Sequence, residues 1–344
     1  MQPRRFKTKC VFIFWSLAAL TPLAHSTSCT TQAQMTTEQR DALSNTARSL
    51  VGLVLSNDMQ SLRAKMLPAV AGDFGGIAAS AQAISPLIQH ATVTVDGLYV
   101  LDASTGQASA ERTQFFCGSP TVVLTFDSLP QGTYALSIIH ATGVPKPQQI
   151  SLILAKAAGN AWQLAGFYGK PMIEDGHDGL WYWKSARQYA QARKNWNAWF
   201  YYHVAVSLLD PLDFLSSPNL EKLQHETEQV RPTDAPGSAP ITLSANGTAF
   251  TVTAIDTTTE FGALDIDLHY APDPSQAEQL RTPLAARQQV TNLMTALLTR
   301  HPELREAFHG IWVHADHENA SLYALELPMS GIAPGQSPLA PARR

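Results

Sequence analysis

The chain has 344 residues, 45% of them hydrophobic and 15% charged, with 24 basic side chains against 28 acidic ones for a net charge of −4. That is enough length and apolar content for two or three domains with buried cores. The acidic balance excludes the broad basic face that a nucleic acid or an anionic lipid surface needs.

Residues 1–26 have the layout of a signal peptide. Arg4, Arg5, Lys7 and Lys9 precede an apolar run at 11–20, Pro22 breaks it, and Ala24-His25-Ser26 is a small-x-small cleavage pattern. The run is too short to span a bilayer, and no later stretch is apolar for long enough to do so. The expected product is exported, periplasmic or secreted. Cys10 leaves with the leader, so Cys29 and Cys117 remain. In an oxidising compartment the two can pair. Alternatively Cys29 carries a lipid anchor, since Ser26-Thr27-Ser28 are small, although the leucine usual three positions earlier is missing. Two free thiols is the third option.

From Thr36 the apolar residues Leu43, Ala47, Leu50, Val51, Val54 and Leu55 recur on one helical face. Thr36 with Gln39 forms a capping-box pattern. Asn57-Asp58 ends this helix and opens a short second one. An alanine-rich third is expected at 74–89. Strand patterns follow at 92–101, 114–126 (broken at Gly118-Ser119-Pro120), 133–142, 148–156 and 161–168. Tyr134, Leu136 and Ile138 alternate onto one face of their strand. Three helices and then antiparallel strands form an α+β layout with helices on one side of a sheet. Asn57-Asp58-Met59-Gln60-Ser61-Leu62 opening the second helix, with the closing hairpin at 150–171 and its Trp162, resembles the cone-shaped superfamily of nuclear transport factor 2 and ketosteroid isomerase. The resemblance covers about 36–172. It implies a hollow between sheet and helices that can take a small apolar ligand.

Beyond Pro171, the corner 174–179 leads into two aromatic helices, 180–194 and 196–209, closed by Asp210-Pro211. The pair resembles one tetratricopeptide-type hairpin, departing from that pattern at Arg187 and Trp199. A third helix starts at Ser217-Pro218, and 231–240 has linker composition. Two strand stretches, a helix from Thr282-Pro283 and two last strands make a small ββαββ domain. The expected division is 1–26 signal peptide, 30–175 cone-like domain, 176–230 helical hairpin, 231–240 linker, 241–330 C-terminal α+β domain and 331–344 tail.

No phosphate loop, GxSxG, CxxC or complete HExxH is present. Function therefore rests on constellations, and no cofactor is implied. His140, on the stripe of Tyr134, Leu136 and Ile138, and Asp127 are candidate acid/base residues for a cone-type enzyme. Tyr99, Tyr134, Tyr168, Trp181 and Trp199 are candidate ligand contacts. The plainer reading is that these aromatics pack the fold. On the strand at 264–270, Asp265, Asp267 and His269 share a face; on a later one, His314 and Asp316 do. If these strands are neighbours, imidazoles and carboxylates converge in a set that suits zinc or a similar ion. The same pattern also describes the wet side of a sheet. The sequence thus points first to an exported, non-enzymatic binding or protein-interaction module, and second to a cone-type enzyme or a metal site on the C-terminal sheet.

Overall fold

The computed structural model describes residues 27–105, 111–159, 161–237, 239–318 and 320–333. The expected signal peptide and nearly all of the expected tail lie outside the described residues. Among the described residues the architecture is α+β, with largely antiparallel sheets and no closed barrel. Among the described residues no helix is long and apolar enough to cross a membrane.

Strand β1 (Ser28–Thr31) leads to α1 (Thr37–Leu55), α2 (Met59–Ala64) and α3 (Phe74–Ile84). Thr36 and Gln39 make the reciprocal capping box at α1, and the Asp58 carboxylate accepts from the Ser61 amide to start α2. Pro86 tightens the end of α3 into a 3-10 turn, so the helix is shorter than its alanines suggest. Then come β2 (Thr92–Asp102), β3 (Arg112–Cys117), β4 (Val122–Asp127), β5 (Thr133–Thr142), β6 (Gln148–Lys156) and β7 (Trp162–Pro171).

These strands form two sheets. The larger runs β1-β2-β5-β6-β7. Its one face, with Ala135, Ile139, Ile150, Leu152 and Leu164, meets Leu43, Val51, Val54, Leu62 and Ile84 of the helices. Buried side chains of both layers line the space between helices and sheet. The other face, with Leu101, Tyr134 and Leu136, meets Phe115 and Leu124 of β3 and β4. The stripe carrying His140 therefore looks away from the helices. The edge strand β7 is covered by residues 65–67, which exchange backbone hydrogen bonds with Leu164. The Cys29 and Cys117 sulfurs are bonded, tying β1 to β3. A sulfur so engaged is not available to a lipid.

A short hairpin, β8 (Ile173–Glu174) and β9 (His177–Asp178), turns the chain into α4 (Gly179–Gln191) and α5 (Asn195–Leu209). The Asp178 carboxylate caps α4 at the Trp181 amide. Gly179 is required there: a Cβ would lie 2.6 Å from Leu209 Cγ. Strand β10 (Leu215–Ser216) then pairs with β4, completing a three-stranded sheet β10-β4-β3. Helix α6 (Pro218–Gln229), capped by Ser217, packs on α5.

Glu226 of α6 joins the three helices. It accepts from Arg187 Nε and Nη2 at 2.7 and 2.8 Å, from Trp183 Nε1 at 2.7 Å and from the Tyr202 hydroxyl at 3.2 Å. Burial raises its pKa, but the hydrogen bonds from Arg187 and Trp183 together outweigh that, and the carboxyl ends below its usual range. A depressed carboxyl contributes stability above its unfolded value, about 4.3, and loses it as pH falls through the folded value. Glu226→Gln is therefore expected to lower unfolding stability by about 1–2 kcal/mol at pH 7, since these groups are partly exposed. The gap to wild type should shrink below about pH 4. Urea midpoints at pH 7 and pH 3 check this; an equal gap at both would refute the charged role.

The last portion holds β11 (Ile241–Ala245), β12 (Thr248–Thr258), β13 (Asp265–Ala271), α7 (Pro274–Gln279), α8 (Pro283–Arg300), β14 (Gly310–His317) and β15 (Ala320–Pro328). The strands lie in that order in one sheet. β13 and β14 are parallel, because α8 carries the chain back across the sheet between them. Its apolar face packs on α8 and also on α4 and α5, within one core. The hairpin thus shares its core with the C-terminal sheet. Within the stretch expected as a linker, Asp234 accepts from Trp196 Nε1 and pairs with Arg300 and His301.

Candidate functional site

Alternation along β13 sends Ile266, Leu268 and Tyr270 into the core and leaves Asp267 and His269 on the opposite face. The same rule on β14 buries Ile311, Val313 and Ala315 and turns out Trp312, His314 and Asp316. The parallel register sets His269 beside His314 and Asp267 beside Trp312. Four of the residues named from sequence therefore meet on one sheet face.

Asp267 Oδ1 lies 3.3 Å from His269 Nε2 and 3.2 Å from His314 Nε2. The two imidazoles stack with centroids 4.5 Å apart. His269 Nδ1 is 2.5 Å from Asp316 Oδ2. Trp312 lies against His314, at 4.1 Å, and Phe261 against Trp312. The Asp267 carboxylate beside Nε2 is the main cause raising His269 to about 9; burial opposes it and Asp316 adds to it. His314 shifts down because burial disfavours its charge more than Asp267 favours it. Both Asp267 Oδ1 and His314 Nε2 are buried without a hydrogen-bond partner. The two atoms lie 3.2 Å apart, and neither satisfies the other.

Bond lengths of about 2.0–2.1 Å in a tetrahedral zinc site put neighbouring ligand atoms about 3.3 Å apart. The two Asp267 distances match that edge. The ligand atoms of Asp267, His269 and His314 all lie within 4.8 Å of one another. Asp316 stands where an outer carboxylate would: a metal-bound imidazole commonly donates its second N–H to a carboxylate, which fixes the tautomer and aims the other nitrogen.

Asp265 does not join this group. It lies two residues earlier on the same face, with His309 Nδ1 at 3.1 Å and Glu326 nearby. Sequence reading missed both neighbours. For Glu326 one signal was present, a lone charge between Leu325 and Leu327; the structure sets it opposite Trp312 on the polar face.

The other candidates are scattered. His140 is 3.9 Å from Asp96 and belongs to the larger sheet. Asp127 is exposed at the end of β4, opposite Arg112, on the smaller sheet. The structure brings no acid/base pair together from these two. Tyr134 is buried and its hydroxyl donates to the Pro130 carbonyl. Tyr99 is half-buried beside Cys117, along a cavity of 310 Å³. Tyr168 is exposed and meets Phe214 edge-on. Trp199 is buried among Trp196, Phe200 and His203, whereas Trp181 is partly exposed and stacks on His177 at 3.6 Å. These five aromatics do not converge on one binding surface.

Comparisons with protein-family models, with curated proteins and with solved structures return no match to this chain.

Proposed function

We propose that the chain is an exported, non-enzymatic binding protein whose C-terminal sheet holds a divalent transition-metal ion of the zinc class through Asp267, His269 and His314. The observation that carries this reading is the division of labour on His269. Its Nδ1 is engaged by Asp316, while its Nε2 faces the same carboxylate oxygen as His314 Nε2. Imidazole with carboxylate is a donor set that favours zinc over calcium or magnesium. The N-terminal body we take as a cone of the nuclear transport factor 2 kind and α4–α5 as a tetratricopeptide-like hairpin, supported by the order of helices before strands and by the antiparallel helix pair. Its packed interior favours a scaffold role for that body over a ligand chamber.

The test is calorimetry with Zn²⁺ on the full chain after chelator treatment. His314→Ala or Asp267→Asn is expected to weaken the affinity of this site by about 100-fold, and Asp316→Asn by about 10–100-fold with stoichiometry unchanged. Uptake of no zinc by the stripped wild type, or equal affinity in His314→Ala, would remove the proposal. N-terminal sequencing of material from the periplasm or medium tests export, with Thr27 the expected first residue.

A further inference from the structure

The sheet face holds a second group of donors that the proposed zinc site leaves unused. Asp265, His309 and Glu326 place one donor atom each within 4.8 Å of one another. Asp265 is fully buried, yet its Oδ2 has no hydrogen-bond partner. Glu326 Oε1 is likewise buried and unpartnered. Buried carboxylate oxygens without a donor are costly, and they persist where something else satisfies them.

Gly310 shows that the convergence is built into the backbone. A Cβ at this position would lie 2.6 Å from Glu326 Oε1, 3.0 Å from Asp265 Oδ1 and 2.7 Å from the Leu327 carbonyl. Only the absent side chain lets the two carboxylates close over the strand. His309, the residue before it, sets Nδ1 3.1 Å from Asp265 Oδ1. Like charges this close in a sheltered place need a cation or a proton between them.

We propose that Asp265, Glu326 and His309 form a second divalent-cation site, separate from the Asp267–His269–His314 group and taking a first-row transition ion such as Zn²⁺. Two carboxylates and one imidazole suit an ion that accepts oxygen and nitrogen together. Burial pushes the Asp265 carboxyl upward, with His309 opposing; burial and then the neighbouring Asp265 push Glu326 upward. Both shifts describe a place that disfavours two bare negative charges. Asp265 and Asp267 are two residues apart along one strand face, or about 7 Å, so two ions can be held side by side without sharing a ligand.

Native mass spectrometry and Zn²⁺ calorimetry on the full chain test this. Wild type is expected to take two equivalents; Glu326→Gln and Asp265→Asn each lose one, Asp267→Asn loses the other, and Glu326→Gln with Asp267→Asn takes none. The paired carboxamide variants keep shape, and if one fails to fold the other still reads the site. Two equivalents retained in Glu326→Gln would overturn the second site. So would a single wild-type equivalent that only Asp267→Asn removes, and the zinc reading above would then stand. A single equivalent removed by Glu326→Gln and kept in Asp267→Asn would uphold the second site and sink the first. Unchanged stoichiometry with a more stable Glu326→Gln fold would mean that the two carboxyls share a proton instead.

Discussion

Replacing Cys29 and Cys117 together by serine is expected to cost about 4 kcal/mol of unfolding free energy, within the roughly 2–5 kcal/mol typical of native disulfides. The bond joins residues 88 apart in sequence, so it removes a long loop from the freedom of the unfolded chain. Its folded-state role is also specific. β1 is a four-residue edge strand, held to β2 by a short ladder in which Cys29 faces Leu101. The bridge fastens that edge to β3 of the smaller sheet, where Cys117 is fully buried. Far-UV circular dichroism in urea, with and without reductant, measures the effect. Tryptophan fluorescence should shift less. Of the six tryptophans among the described residues only Trp162 lies in the N-terminal body, and the other five, from Trp181 to Trp312, belong to the hairpin and C-terminal sheet. An oxidised wild type that unfolds at the same urea concentration as the double variant would refute the argument.

Phe200→Ala should have the opposite signature, a loss of about 3–5 kcal/mol read mainly by tryptophan fluorescence. Phe200 is 1% exposed. Its ring meets Trp196 at 5.6 Å, Trp199 at 5.1 Å and Phe308 at 5.3 Å, so it bridges the hairpin to the turn before β14. Truncation opens a cavity at a junction held from two sides, where collapse is restricted. Tyr201 and Asn197 of the same helix bond the carbonyls of Ala307 and Glu303, which fixes α5 in place and limits such collapse further. Phe200→Leu, which keeps much of the volume, should recover most of the loss. Trp181→Ala is the comparison. Trp181 is 39% exposed, so its truncation should cost less than that of Phe200, with about 0.5–1.5 kcal/mol of the loss coming from its stack on His177. If Trp181→Ala proves the more damaging of the two, the aromatic core has been assigned to the wrong side of the hairpin.

Local elements were legible because local chemistry decides them. The capping residues Thr36, Asp58, Asp178 and Ser217 each accept the amide their helix start requires. The period-two pattern on β13 and β14 separated core from polar face correctly, and that placed Asp267, His269, His314 and Asp316 together once the strands proved adjacent. Long-range partnership was not legible. Nothing in the composition of 231–240 shows that Asp234 will bond Trp196, Arg300 and His301. The aromatics of α5 demand burial, but they do not specify which sheet provides it. Asp265 and Asp267 share a face and still belong to different groups, because the neighbours that separate them, His309 and Glu326, come from other segments.

Strand β10 carries a consequence for the order in which the molecule can be built. It is only two residues long, yet Leu212, Leu215 and Leu220 around it close the core over Phe115 and Leu124. Those two residues are made almost a hundred positions earlier. At about 5–20 residues per second, the interval between the emergence of Pro171 and of Ser216 is roughly 2–9 s. During that time the larger sheet can form, but the smaller one keeps its apolar floor uncovered. A nascent chain halted anywhere in this interval is expected to be a chaperone client, and it remains one until Leu220 has emerged to complete this core.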